Sequence, residues 1–154
     1  MKNDNKEYLT KDKFDEFTKE LATLKGTKRK EIAESLEYAK SLGDLAENAE
    51  YHEAREAQGT IEDRIAKLEE LLKTAQIVSS NTGDSVSVGS TVTVEKDGKK
   101  FDYSIVGSEE ADVISNKISM KSPFGQSILG KKKGETFTFK APSGELSYKI
   151  TDIK

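Results

Sequence analysis

Between Ser41 and Ala54 the chain carries no lysine or arginine, while Asp44, Glu47, Glu50 and Glu53 recur at every third position. Two chemistries suit such a run. Asp44-x-x-Glu47 matches a helix capping box, in which the first side chain accepts backbone N–H bonds and the second reaches back, and carboxylates suit the positive end of a helix. Spacing by three on a helix also lays neighbouring carboxylates on nearly one face. Two carboxylates so placed hold a hydrated Mg²⁺ only weakly, because Mg²⁺ prefers octahedral oxygens shared among protein, water and phosphate. Such a tip is incomplete alone and becomes a metal site when another macromolecule supplies the phosphates and remaining ligands.

Composition removes most competing sites. The 154 residues hold 25 Lys+Arg against 28 Asp+Glu, one His, no Cys and no Trp. There is therefore no disulfide, thiol nucleophile or zinc-thiolate site, and one histidine builds neither a histidine metal cage nor a Ser/His/Asp set to argue from. His52-Glu53 also lacks the second histidine of a zincin. A net charge of -3 argues against a general nucleic-acid binder. No run reaches the length of a membrane span, and the first residues lead into no signal-peptide core, so a soluble, cytoplasmic protein with no membrane partner is expected.

The elements that would carry the acidic run change character near residue 78. Residues 1–80 hold 14 basic and 18 acidic side chains, residues 81–154 hold 11 and 10, and the first part is rich in the helix formers Glu, Lys, Leu and Ala. We read a helical hairpin over 1–78 with its tip at 43–47, a linker over 79–85, and a β-rich domain over 86–154. Phe14, Phe17, Leu21 and Leu24, and then Ile61, Ile65, Leu68, Leu72 and Ala75, form narrow seams of the coiled-coil kind. Lys28 occupies the next apolar position of the first seam, which resumes one place late at Ile32, Leu36, Ala39 and Leu42; we expect a local irregularity, not a break. With Thr10 as N-cap and Gly43 past its end, one helix spans about 31 residues, some 45 Å.

In the second half Thr91–Val94, Phe101–Ile105, Thr136–Phe139 and Leu146–Ile150 alternate as strands, with Lys96-Asp97-Gly98-Lys99 as a hairpin turn. Ser122 to Gly130 is expected to form a turn and a short helix packed on the sheet. The fold class is α+β: an N-terminal antiparallel helical hairpin (coiled coil) followed by a compact antiparallel α+β domain.

The tip run Gly43-Asp44-Leu45-Ala46-Glu47-Asn48-Ala49-Glu50-Tyr51, followed by His52, Arg55, Glu56, Gln58-Gly59 and Ile61-Glu62-x-Arg64-Ile65, resembles the signature of the bacterial Gre transcript-cleavage factors. Leu45 and Ala49-Glu50-Tyr51 look like the GreA branch of that family. The likeness extends through Ile105-Val106-Gly107 and Ser122-Pro123 to Gly130-Lys131-Lys132-Lys133-Gly134-Glu135. It implies that the hairpin enters the secondary channel of bacterial RNA polymerase, that Asp44 and Glu47 help hold a second Mg²⁺ there, and that the polymerase then hydrolyses the 3′ end of backtracked nascent RNA. The chain itself would be a monomeric activator without an active site of its own. The second domain would be FKBP-like and dock at the channel rim. Asn48, Arg55, Ser122, Pro123 and Phe124 are the candidates for partner or RNA contact. For Asn48 the competing reading is cap and hairpin packing, which we favour for Tyr51; for Arg55 it is an intrahelical pair with a neighbour such as Glu56, and for Phe124 ordinary core.

Ala46 stands where many members of that family have Ser, Lys13 where many have Gly, Lys30 where many have Pro, and Lys40 where many have Arg; none removes a tip carboxylate. Lys25, Lys28, Arg29 and Lys30 read as a solvated face, with an RNA-contacting patch as the alternative. Gly125 to Lys131 satisfies G-x-x-x-x-G-K, but Lys132 stands where a phosphate loop needs Ser or Thr. Prolyl isomerase activity rests on fold analogy alone, with no aromatic-lined pocket legible in the residues. A channel-occupying inhibitor is the alternative function; a hairpin chaperone with no polymerase partner is more remote.

Overall fold

The computed structural model describes residues 6–79 and 83–154. The chain divides into two compact units, one formed by Phe14–Thr74 and the other by the residues up to Lys13 together with those from Ala75 onward. These units are cut differently from the boundaries read at 78 and 86. The reason is a pair of three-residue strands, β1 (Tyr8–Thr10) and β2 (Gln76–Val78), which run parallel with Leu9 opposite Ile77. Of the linker expected over 79–85, residues 80–82 lie outside the described residues.

The first helical stretch runs through α1 (Lys11–Thr23), a single π-helical turn (Leu24–Lys28) and α2 (Arg29–Ser41). The Thr10 hydroxyl oxygen accepts the Lys13 amide at 3.2 Å, as an N-cap should. The π turn is the physical form of the slip read at Lys28. It winds one extra residue into the helix, so a seam that would otherwise drift off its face resumes at Ile32 and Leu36, with Ala39 buried. The last turn ends at Gly43, whose φ of +123° lies outside the comfortable range of an L side chain.

The return helix is α3 (Ala49–Thr74). Cross-arm contacts fix its antiparallel sense: Asn48 meets Ala39, Arg29 meets Glu62, and Lys25 meets Glu69. Burial is confined to Phe17, Ala39, Ala54, Ile65, Leu68 and Leu71. The seam thus turns inward at Leu71 in preference to Leu72. Around it the arms are laced by ions. Arg29 grips Glu62 through two N–H donors at 2.7 and 2.8 Å, and Arg64 grips Glu20 at 2.8 and 3.0 Å while its guanidinium lies 5.5 Å from the centre of the Phe17 ring. The basic cluster read as a solvated face is therefore largely engaged, since Lys28 pairs with Glu31 as well.

In the other unit, β3 (Thr91–Lys96), β4 (Lys99–Val106), β5 (Lys117–Ser119), β6 (Thr136–Ala141) and β7 (Gly144–Ile153) form a sheet in the order β5-β4-β3-β7-β6. Every pairing is antiparallel except β4 with β5, which adds a parallel edge to the antiparallel sheet expected. Asp97 and Gly98, with φ of 54° and 77°, make the two-residue turn between β3 and β4. α4 (Pro123–Ile128) packs Phe124 and Ile128 onto the sheet with Val92, Val94, Ile105, Phe137 and Ile150.

Candidate functional site

Neither Asp44 nor Glu47 lies on a helix. The segment from Leu42 to Asn48 is non-helical, and α3 begins only at Ala49, so of the four evenly spaced carboxylates only Glu50 and Glu53 share a helix face. This corrects the capping-box reading. The cap of α3 is Asn48: its Oδ1 accepts the Tyr51 amide at 3.1 Å, and its Nδ2 donates to the Ala39 carbonyl at 2.6 Å on the opposite arm. One side chain thus starts the second helix and ties it to the end of the first. Asn48 takes the cap and packing role weighed for it, half-buried.

With the cap filled by Asn48, the tip carboxylates have no backbone duty at a helix start. Asp44 Oδ1 accepts the Ala46 amide at 3.0 Å, a local turn bond that leaves Oδ2 open, and Glu47 has no side-chain partner among the described residues. Both are exposed. His52 Nε2 lies 3.1 Å from the Ala46 carbonyl, a bond made when that nitrogen carries the proton, and the His52 ring meets Tyr51 edge-on at 5.8 Å. Ala46 therefore shapes the tip through its backbone N–H and C=O, which no side-chain hydroxyl is needed to supply. This bracing by His52 escapes a sequence reading, because a six-residue return contact follows no helical or strand period. Arg55 donates to Gln58 Oε1 at 2.8 Å, its neighbour one turn along α3, and not to Glu56.

The other candidates sit in the sheet unit. Ser122 caps α4 by accepting the Gly125 amide at 3.1 Å and donates its own hydroxyl proton to the Ser119 carbonyl at 2.7 Å; Pro123 opens the helix and is exposed. Phe124 is core, at 8% exposure. A Cβ on Gly125 would come within 2.1 Å of the Ser119 carbonyl oxygen, so this glycine serves close packing of α4 and not a phosphate cradle. One feature had no sequence signal: Tyr103, Ile118, Phe124, Phe139 and Tyr148 line an aromatic pocket of about 340 Å³. Its walls come from separate strands and a helix, which only the folded sheet brings together. Burial, followed by the neighbouring Tyr148, raises the Tyr103 phenol above its usual range.

Residues 7–77 match the family model described as "Transcription elongation factor, N-terminal", and residues 80–154 match "Transcription elongation factor, GreA/GreB, C-term". The chain belongs to the GreA/GreB family of transcription elongation factors. A transcription elongation factor GreA from Caldanaerobacter subterraneus is 45% identical over 150 residues, which is 95% of this chain and 96% of that one. Another, from Clostridium acetobutylicum, is 44% identical with both chains wholly covered. The crystal structure of Thermus aquaticus Gfh1 is similar over 96% of this chain and 97% of its own, at 28% identity and a TM-score of 0.45, too loose a superposition to add to the assignment. In this GreA/GreB chain the braced tip holds two exposed acidic groups, Asp44 and Glu47, on irregular backbone. No helix among the described residues is long and apolar enough to cross a membrane.

Proposed function

We propose that this protein acts on backtracked bacterial RNA polymerase, entering the secondary channel tip first and presenting Asp44 and Glu47 to the catalytic centre. The observation that carries the reading is that both carboxylates are exposed on a segment whose shape is fixed by Asn48 and His52, while the helix cap is satisfied without them. A group already spent on capping has little to offer a ligand; these are available.

Their chemistry fits Mg²⁺, a hard ion that takes carboxylate oxygens. The fit is partial by number, because no cluster of three or more acidic, histidine or cysteine groups able to hold a metal exists among the described residues. Asp44 and Glu47 would thus complete a site whose other ligands come from the polymerase and the RNA phosphate. With a second Mg²⁺ held there beside the polymerase's own, the two ions together would stabilise the attacking and the leaving oxygen in phosphodiester hydrolysis. Either carboxylate is also suited to orient the attacking water or take its proton. In this reading the chain is a cytoplasmic, monomeric activator that lends ligands to another enzyme, and meets the 3′ end of the RNA only inside that enzyme.

The test is a stalled, backtracked elongation complex carrying end-labelled RNA, to which the protein and Mg²⁺ are added. Release of short 3′ fragments is expected, chiefly di- and trinucleotides. Asp44→Asn or Glu47→Gln should abolish release, a loss of at least roughly 100-fold for a transition-state group, with polymerase binding largely kept. Unchanged cleavage in both variants would remove the carboxylates from the chemistry, and slowed elongation without cleavage by the wild type would make the protein an inhibitor.

A further inference from the structure

A second feature of the hairpin lies beside the tip and takes no part in that chemistry. It is a groove of about 490 Å³ between the arms, lined by Ile32, Ser35 and Tyr38 of α2 and by Glu50, Glu53 and Ala54 of α3. Spacing by three along each helix places these side chains on one surface of the pair. Ile32 and Ala54 form an apolar floor, Tyr38 stands 62% exposed, and Glu50 and Glu53 are exposed carboxylates at the rim.

The electrostatics of this stretch differ from those of the rest of the hairpin. Glu20, Glu62 and Glu69 each hold a cation from the opposite arm. Glu50 and Glu53 hold none among the described residues, and the ring of Tyr38 meets no aromatic or cationic neighbour there. Arg55, the nearest cation on α3, is turned to Gln58.

An aromatic face and an apolar floor under two unpaired carboxylates suit a side chain with an aliphatic stem and a cationic head. The stem covers apolar surface, the head lies over the phenol ring, and the carboxylates receive its N–H donors. A phosphate backbone would be repelled by the same carboxylates, and a wholly apolar occupant would strip them of water without replacing their hydrogen bonds. We propose that the groove is a docking cleft for an arginine or lysine side chain of the protein wall that surrounds the hairpin, which on the reading above is the polymerase. It makes Tyr38, Glu50 and Glu53 partner-binding residues distinct from the tip pair.

Two measurements separate this proposal from the reading on which it rests. In the first, the full-length ¹⁵N-labelled protein is titrated at millimolar concentration with the capped peptide Ac-Gly-Arg-Gly-NH₂ and with its citrulline counterpart, which keeps the shape and lacks the charge. Amide shifts are expected at Tyr38, Glu50 and Glu53 with the arginine peptide, roughly three- to five-fold weaker with citrulline, and lost in Glu50→Gln/Glu53→Gln. Equal response to both peptides, or no shift at the groove, would overturn the cleft. In the second, polymerase binding is measured by competition at low and high salt. Glu50→Gln/Glu53→Gln should weaken binding roughly ten-fold at low salt and flatten its salt dependence, and Tyr38→Ala should also weaken it, while RNA release at saturating protein is unchanged. Circular dichroism of each variant should match the wild type, since all three side chains are on the surface.

Wild-type affinity in the charge-neutral variant overturns the proposal and leaves the polymerase reading standing. Loss of binding in Tyr38→Ala alone means an apolar occupant, and self-association abolished by Tyr38→Ala means a second copy of the chain; either overturns it. A wild type that does not bind polymerase overturns the polymerase reading and the polymerase as occupant, and the peptide titration then decides whether the cleft takes a cation.

Discussion

The sheet unit gathers Val92, Val94, Ile105, Phe124, Ile128, Phe137 and Ile150 into one contiguous buried cluster, whereas the hairpin strings Phe17, Ala39, Ala54, Ile65, Leu68 and Leu71 along a seam one side chain wide. A closed cluster removes apolar surface from water on every side, so each member depends on the others. A seam leaves most of each helix in solvent. There the arms are matched by side-chain hydrogen bonds and ion pairs, which contribute less per contact but leave long surfaces free to meet something else. The difference separates duties: the unit with the fuller core maintains its own shape, and the one with the thin seam leaves most of its side chains at the surface, where the proposed function would use them.

That contrast is open to attack from both sides. Phe124→Ala removes the ring that meets Tyr103, Phe137, Phe139 and Tyr148 edge-on at 5.2 to 5.9 Å, and should cost about 3–5 kcal/mol in urea unfolding followed by tyrosine near-ultraviolet dichroism. A loss below about 1 kcal/mol would mean that the sheet unit does not rest on this cluster. A smaller effect is expected for Asn48→Ala, which deletes the α3 cap and the tie to Ala39, at about 1–2 kcal/mol. Hydrogen exchange should show faster opening at residues 49–52 and unchanged protection in β3, β4 and β7; equal loosening of both units would contradict their separation.

The smallest effect should come from the ion lacing. Arg29 holds the Glu62 carboxyl below its ordinary value of 4.5, chiefly through their hydrogen bonds, with the opposite charge adding to it. Glu62 therefore gives up its proton more readily folded than unfolded. Its contribution is present above the unfolded value and is lost as pH falls through the lower folded one. The melting temperature of Glu62→Gln should lie slightly under that of the wild type at pH 7, with the gap closing as the pH drops below about 4.5. A gap that persists in acid would assign the effect to packing.

Much of this molecule is legible in its residues where a period or a special backbone conformation is involved. The two seams, the alternation of β3, β4, β6 and β7, the Asp97-Gly98 turn and the late resumption of the seam after Lys28 all follow from side-chain spacing. β1 and β2 do not, because three residues are too few to display alternation, and their pairing joins chain segments nearly seventy residues apart. The tip carboxylates stand out by type, but their setting misleads: Asp44-x-x-Glu47 has the capping-box pattern, and the helix starts later because Asn48 reaches both the Tyr51 amide and the Ala39 carbonyl. Only the position of the opposite arm decides between those caps, and no local pattern encodes that position. The aromatic pocket and the Tyr38 groove were hidden for the same reason.

The π turn at Leu24–Lys28 has a mechanical meaning for everything beyond it. An α-helix advances about 100° and about 1.5 Å with each residue, and the wide turn absorbs one residue's worth of that advance, so winding the same residues as regular α-helix would swivel Tyr38 and the residues after it by roughly a quarter of a revolution while lengthening the helix by only about one bond length. Reach and bearing are thereby set by separate means. The number of helical turns decides how far the tip extends, and a single wide turn near the middle decides which way it is aimed when it arrives.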